Sequence, residues 1–324
     1  MANSFSDRFG RKIDYLRISV TDRCNLRCVY CMPPEGIELF EKNEILTFEE
    51  MERFSRVAIN LGVRKIKLTG GEPLVRKGIV DFIASISKIE GLEDLSLTTN
   101  GIFLEGFAED LKASGLNRVN VSLDSLDPKR YGEITRGGNL SSVLCGINKA
   151  LKVGFKVKVN TVVLGGLSEK EIFELIEFGK EKGIEVRFIE FMPLCGNGWN
   201  RDYFIPIVDV KKKIEQMYKL TNLKNDGVAD RYSINGGGVV GFITTISEPF
   251  CSSCSRLRLT ARGTLRPCLF STLEINVFPL LRKVAPDEEI EKAIRKAVFM
   301  KPEWNPVLSG LEDPKKVFIR NIGG

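Results

Sequence analysis

The chain has 324 residues, 43% hydrophobic and 28% charged, with a net charge of +6, eight cysteines and no histidine. That is the composition of an ordinary globular protein, but the lack of histidine excludes a Ser-His-Asp triad, a histidine-assisted cysteine protease and every His-ligated zinc or haem site. The charge is too mild to point to nucleic acid and suits an anionic small substrate.

Charges at Asp7, Arg8, Arg11, Lys12 and Asp14 leave no apolar signal region in the first twenty residues. No run approaches the roughly 20 apolar residues of a spanning helix. A cytoplasmic home off the membrane is therefore expected, where disulfides are rare and cysteines serve metals or catalysis. From residue 14 onward, short β-rich runs alternate with helical patterns. DYLRISV (14–20) leads into a cysteine loop, and a helix over 48–62 follows, with Thr47 as N-cap and Gly62 at its end. RKIKLT (64–69), DLSLTT (94–99), NRVNVSLD (117–124), KVKVNTVV (156–163) and IEVRFIEF (184–191) read as further strands, with helices near 78–89, 105–114, 140–153 and 169–182 between them. Six such units predict a parallel α/β sheet with right-handed crossovers. Unusual residues cluster at the C-terminal ends of these strands, where barrels and open sheets bind ligands. Six units are too few to close a standard barrel, so something must cover the open side. After Trp199 the pattern changes to a helix (208–218), a polar stretch (222–230), a glycine run (236–238), a second cysteine group and a basic tail. The domain boundary is expected between 195 and 230, giving units of 1–220 and 221–324.

Two cysteine groups carry the chemistry. Cys24, Cys28 and Cys31 form CxxxCxxC, followed at once by Pro33-Pro34, which leaves no room for a stable helix that would bury them as small apolar residues. Three thiolates can hold three irons of a [4Fe–4S] cube and leave the fourth open. Cys251, Cys254 and Cys268 form C-x₂-C-x₁₃-C. A zinc knuckle is the plainer reading of that spacing, but it wants a fourth ligand. Only the distant Cys145 and Cys195 are left; Cys145 is expected in a helix core, and Cys195 is unassigned. A second three-cysteine cluster fits better. Between these cysteines Arg256 and Arg258 stand two apart on one face of a strand, where paired guanidiniums can grip phosphate.

CxxxCxxC with Tyr30 before its last cysteine, followed after a strand by GGEP (70–73), resembles the radical S-adenosylmethionine enzymes. Two triads, the R-x-R between the later cysteines, and the terminal Gly323-Gly324 make the whole chain similar to the GTP 3′,8-cyclase family within them. The resemblance implies an incomplete (β/α)₆ TIM-like barrel with a smaller C-terminal domain closing its lateral opening. It implies two [4Fe–4S] clusters, one on each triad, and S-adenosylmethionine touched by Tyr30, Gly71, Ser122 and Met192. The glycines of GGEP would let the backbone approach the methionine end of that cofactor. GTP would contact Arg17, Lys67, Thr98, Lys158, Arg256, Leu257 and Arg258, with Arg17, Gly323 and Gly324 serving catalysis.

Lysine at position 67 replaces an expected arginine and loses its bidentate fork. KPEWNP (301–306) lacks histidines that some relatives carry and is expected to have no catalytic work. The implied chemistry is a 5′-deoxyadenosyl radical taking hydrogen from C3′ of GTP, after which C3′ attacks C8. Implied partners are GTP, S-adenosylmethionine, a flavodoxin- or ferredoxin-like electron donor and the downstream cyclic pyranopterin monophosphate synthase; a homodimer is compatible, and no nucleic acid or membrane is involved. A peptide-modifying radical enzyme with an auxiliary cluster is the alternative, although a peptide needs no phosphate clamp.

Overall fold

The computed structural model describes residues 5–195, 197–199 and 201–310. Six parallel strands form the core: β1 (Tyr15–Ser19), β2 (Lys65–Thr69), β3 (Asp94–Thr99), β4 (Arg118–Ser122), β5 (Lys156–Val163) and β6 (Glu185–Glu190), paired in chain order. Between them lie α1 (Phe48–Leu61), α2 (Ile79–Ile86), α3 (Leu104–Ala113), α4 (Pro128–Thr135), α5 (Leu140–Lys152) and α6 (Glu169–Lys182). This is the expected incomplete (β/α)₆ barrel. The N-cap of α1 is the predicted one: Thr47 accepts from the Glu50 amide, and the Glu50 carboxylate accepts in return from the Thr47 amide. Helix α4 adds an element the sequence reading left out. Among the described residues no helix is long and apolar enough to cross a membrane.

Strand alternation sorts the side chains onto two faces. Leu16, Ile18, Ile66, Leu68, Leu95, Leu97, Val119, Val121, Val159, Val186 and Phe188 are buried in one continuous core with residues of the helices. The opposite face carries Tyr15, Arg17, Lys65, Lys67, Thr98, Arg118, Asn120, Ser122, Asn160, Arg187 and Ile189, and it surrounds a cavity. Polar residues in strands that also bury a full apolar face are what a lumen requires.

After α7 (Ile207–Met217) the chain forms β7 (Leu220–Asp226), β8 (Ala229–Ile234) and β9 (Val239–Ile243), then β10 (Arg256–Leu259), β11 (Thr264–Arg266) and β12 (Ile275–Asn276), and ends with α8 (Phe278–Arg282) and α9 (Asp287–Phe299). The polar stretch 222–230 thus lies in a hairpin. Strand β9 pairs parallel to β6, and β10 pairs parallel to β1. The later segment therefore lengthens the parallel sheet at both edges, giving the order β12-β11-β10-β1-β2-β3-β4-β5-β6-β9-β8-β7. The cover over the open side comes from both flanks, not from a cap on one.

Candidate active site

The first triad sits in the loop after β1. Cys31 and Met32 donate their amides to the Cys28 carbonyl, turning the loop tightly, and the Leu26 amide donates to the Cys24 sulfur at 3.4 Å. Burial, then the charges of Asp124, Cys31 and Cys24, push the Cys28 thiol well up, so the three sulfurs lie close enough to repel as thiolates. Cations of an iron–sulfur group would relieve that repulsion. Tyr30 donates its hydroxyl to Asp124 at 2.8 Å and lines the cavity. Among the described residues no three Cys, Asp or Glu side chains converge as on a single ion. The cysteines of a cube each hold a different iron and stand wider apart.

GGEP lies directly after β2 and continues the ladder against the lead-in to the triad: Gly71 N donates to Thr21 O and Glu72 N to Arg23 O, both at 2.8 Å. A Cβ on Gly70 would come within 2.5 Å of Thr21 O, and one on Gly71 within 2.2 Å of Arg23 O. Protein backbone therefore already accounts for both glycines, and Gly71 is not among the residues lining the cavity.

Glu72 is buried and accepts from Leu74 N, Thr99 Oγ1 and Asn100 N. Asn100 in turn reaches Asn25 in the cysteine loop at 2.8 Å. Burial pushes the Glu72 carboxyl up to about 7, against the lowering by those bonds. Since the folded chain then holds a proton more tightly than the unfolded one, this group's contribution to stability falls as pH rises from about 4.5 to about 7. Glu72→Gln is expected to remove that slope. It is also expected to lower stability by about 1–3 kcal/mol, because an amide NH₂ faces donors; denaturant titrations at pH 5 and pH 8 measure both.

Cations dominate one wall of the cavity. Arg17 is opposite Arg258 across β1–β10 and opposite Lys67 across β1–β2, while Tyr15 is opposite Arg256. Burial first, then Arg17, Arg118, Arg187 and Arg256, drive the Lys67 ammonium well below its usual range. Arg258 is lowered likewise by burial, Arg17 and Arg256, and burial brings Arg17 down to about 10. Guanidiniums and an ammonium that repel each other in a low dielectric need an anion of several charges. Deeper in the same wall, Glu185 binds Lys158 at 3.1 Å, Arg231 at 2.9 Å and Arg187. Among the described residues, Arg256 Nε, Asn120 Oδ1, Asn160 Oδ1 and Thr245 Oγ1 are buried without a hydrogen-bond partner, which suits a ligand with both donors and acceptors.

The second triad closes the far side. Cys251, Cys254 and Cys268 all line the cavity. Burial, then Cys268 and Cys254, push the Cys251 thiol up to about 11. Burial would raise Cys254 as well, but Lys301 and Arg256 bring it below its ordinary value. Lys301 and Asn305 also line the cavity, so KPEWNP is part of the site. The segment without histidines thus supplies a lysine and an asparagine to the lining.

One cavity of about 290 Å³ thus gathers Arg17, Tyr30, Lys67, Thr98, Ser122, Met192, Arg256 and Arg258 with the second triad. Lys158 lies behind the lining, paired with Glu185. Leu257 presents no side chain to the cavity: it is 1% exposed in the apolar core, in register with Leu16, which leaves its backbone for the expected GTP contact. Cys145 is corrected; it lies in α5 but is exposed, off the buried stripe of Leu140, Val143, Ile147 and Ala150. Gly323 and Gly324 lie outside the described residues. Arg118, Arg187, Lys65 and Asn120 were missed, although each sits on the polar face of a strand whose alternation was readable.

Residues 18–179 match the Radical SAM superfamily, and residues 184–306 match Molybdenum Cofactor Synthesis C. A GTP 3′,8-cyclase of Thermodesulfovibrio yellowstonii is 47% identical over 303 residues, covering 92% of this chain and 94% of its own. One from Alkaliphilus oremlandii is 44% identical over 321 residues, 98% of this chain and 99% of its own. In fold, the chain resembles Streptococcus suis SuiB bound to S-adenosylmethionine, with a TM-score of 0.63 at 19% identity over 87% of this chain and 67% of that one.

Proposed function

The chain belongs to the GTP 3′,8-cyclase family of radical S-adenosylmethionine enzymes, and from that premise we infer that it converts GTP to (8S)-3′,8-cyclo-7,8-dihydroguanosine 5′-triphosphate, the first step of molybdenum cofactor biosynthesis. Family membership brings iron–sulfur and S-adenosylmethionine chemistry with it. The finer proposal is two [4Fe–4S] clusters, on Cys24, Cys28 and Cys31 and on Cys251, Cys254 and Cys268, within units of 1–220 and 221–324. The observation that carries this reading is the single cavity with Tyr30 and Ser122 on one side, the second triad on the other, and a cationic wall between them.

Bound at the first triad, the cluster and S-adenosylmethionine would supply the 5′-deoxyadenosyl radical that takes hydrogen from C3′ of GTP. The chain's own residues do the rest by position. Tyr30, Ser122 and Met192 form the cofactor side, with the Gly71 backbone behind the triad. Arg17, Lys67, Arg256 and Arg258 take the triphosphate, joined by Arg118 and Arg187, and Lys158 is held in reserve by Glu185. Thr98, with Asn120 and Asn160, offers neutral partners for ribose and base. Fixing both ends of GTP brings C3′ and C8 of one molecule together, converting ring closure into a conformationally prepared step. Apolar lining residues such as Ile189, Phe191, Leu194 and Phe270 keep water from the reacting carbons.

Gly323 and Gly324, lacking side chains, can approach the substrate closely. A flavodoxin- or ferredoxin-like donor would provide electrons, and cyclic pyranopterin monophosphate synthase would take the product. The peptide-modifying alternative shares the fold of SuiB but offers no use for cations set side by side as Arg17, Lys67 and Arg258 are.

Anaerobic incubation of reduced protein with S-adenosylmethionine and GTP deuterated at C3′ tests the reading. Deuterium is expected in 5′-deoxyadenosine; cofactor cleavage without transfer refutes the assignment. About eight irons per chain support two cubes.

A further inference from the structure

Lys301 follows α9 and is 2% exposed, an expensive place for an ammonium. Its Nζ donates to the Arg256 carbonyl at 2.9 Å and to the Pro267 carbonyl at 2.7 Å. Its charge also acts on the Cys254 sulfur, drawing that thiol below its ordinary range. Each partner belongs to the second triad or touches it: Arg256 lies two residues after Cys254, and Pro267 immediately precedes Cys268.

The neighbouring residues are gripped as well. Arg11 donates to the carbonyls of Cys251 at 2.8 Å, Pro302 at 2.7 Å and Glu303 at 3.1 Å, while its Nε pairs with Asp7 at 2.6 Å. The Asn305 amide donates to the Cys251 sulfur. The strap 301–305 is therefore built onto the triad from both sides.

We propose that Lys301 is a positioning residue for the second cluster: it fixes the distance between the Cys251–Cys254 turn and Cys268, and its charge on the Cys254 sulfur favours the reduced cluster. The proposal rests on the reading that Cys251, Cys254 and Cys268 hold an iron–sulfur cube. In a one-electron reduction the cluster gains one negative charge and no bond is made. A cation close to a ligand sulfur in a dry site stabilises that added charge, which raises the potential.

The test uses the full chain carrying Cys24→Ala, Cys28→Ala and Cys31→Ala, so that only the second triad can load. Iron content and EPR-monitored redox titration are compared with and without Lys301→Met, which keeps the length and apolar stem but loses the charge, and with Lys301→Arg. The control is expected to hold about four irons. Lys301→Met is expected to shift the reduction equilibrium at least tenfold toward the oxidised form, about 59 mV lower for one electron, and Lys301→Arg to recover most of it. If Lys301→Met loads no iron while Lys301→Arg loads fully, the positioning role stands. An unmoved potential in a fully loaded Lys301→Met chain, or equal losses in both variants, overturns the proposal alone. A control without iron overturns the second-cluster reading and this proposal with it.

Discussion

Arg258→Ala is expected to weaken GTP binding by about 3 kcal/mol, on the order of 10²-fold, while the absorbance of the first cluster stays as it was. Arg258 is 4% exposed and is flanked across β1–β10 by Arg17. Its charge is disfavoured by burial and by Arg17 and Arg256 and favoured by Cys268 and Cys254, and the disfavouring side prevails. Binding and stability should therefore move apart. Affinity falls because a triphosphate loses a desolvated guanidinium, whereas the melting temperature of the free chain holds or rises because repulsion is relieved. Arg258→Lys keeps the charge without the fork and should fall between. Anaerobic calorimetry of GTP binding, paired with thermal melts, measures both. An unchanged affinity would remove Arg258 from the phosphate clamp, and parallel losses of affinity and stability would make its role structural.

Gly71→Ala is expected to cost about 3 kcal/mol of stability and to empty the first cluster site while the second still loads. The added Cβ meets the Arg23 carbonyl at 2.2 Å and its carbon at 2.6 Å, atoms of the backbone one residue before Cys24. A flexible side chain could swing aside, but here the lead-in to the triad itself must shift and break Gly71 N to Thr21 O and Glu72 N to Arg23 O. Iron near four per chain instead of eight, with GTP affinity retained, is the expected readout. Full iron content in this variant would show that the loop tolerates the displacement.

The core alternation was legible because each strand carries a complete period-2 pattern, and helices such as α1 and α6 announce themselves with capping boxes at Thr47 and Ser168. Helix α4 was readable too, from Asp127 as N-cap and Pro128 at its first position. The triads and the arginine pair could be read because their spacing is local. What was not legible depends on register between distant strands. Nothing local to Arg187 says that it shares a lumen with Lys67, and nothing local to Lys301 says that it ends between Arg256 and Pro267. Hairpin β7–β8 was hidden by Asn, Lys and Asp side chains, which are poor strand formers and are tolerated at this outer edge. Leu257 shows the strand period at work: lying between two cavity arginines, its side chain falls on the opposite face.

The flanking of the core by β9 and β10 sets an order of events during synthesis. Until residues 239–259 leave the ribosome, β1 and β6 have nothing to pair with on their outer sides, and each is an open template for association with another chain. The nascent core must wait for partners that lie about fifty residues beyond β6 and over two hundred beyond β1, contacts of a separation that slows folding and favours transient intermediates. The phosphate wall is split by the same delay, with Arg17 and Lys67 made first and Arg256 and Arg258 last. A chain stalled before residue 239 therefore holds half of a nucleotide site and two unprotected sheet edges, the form in which this protein is most exposed to aggregation.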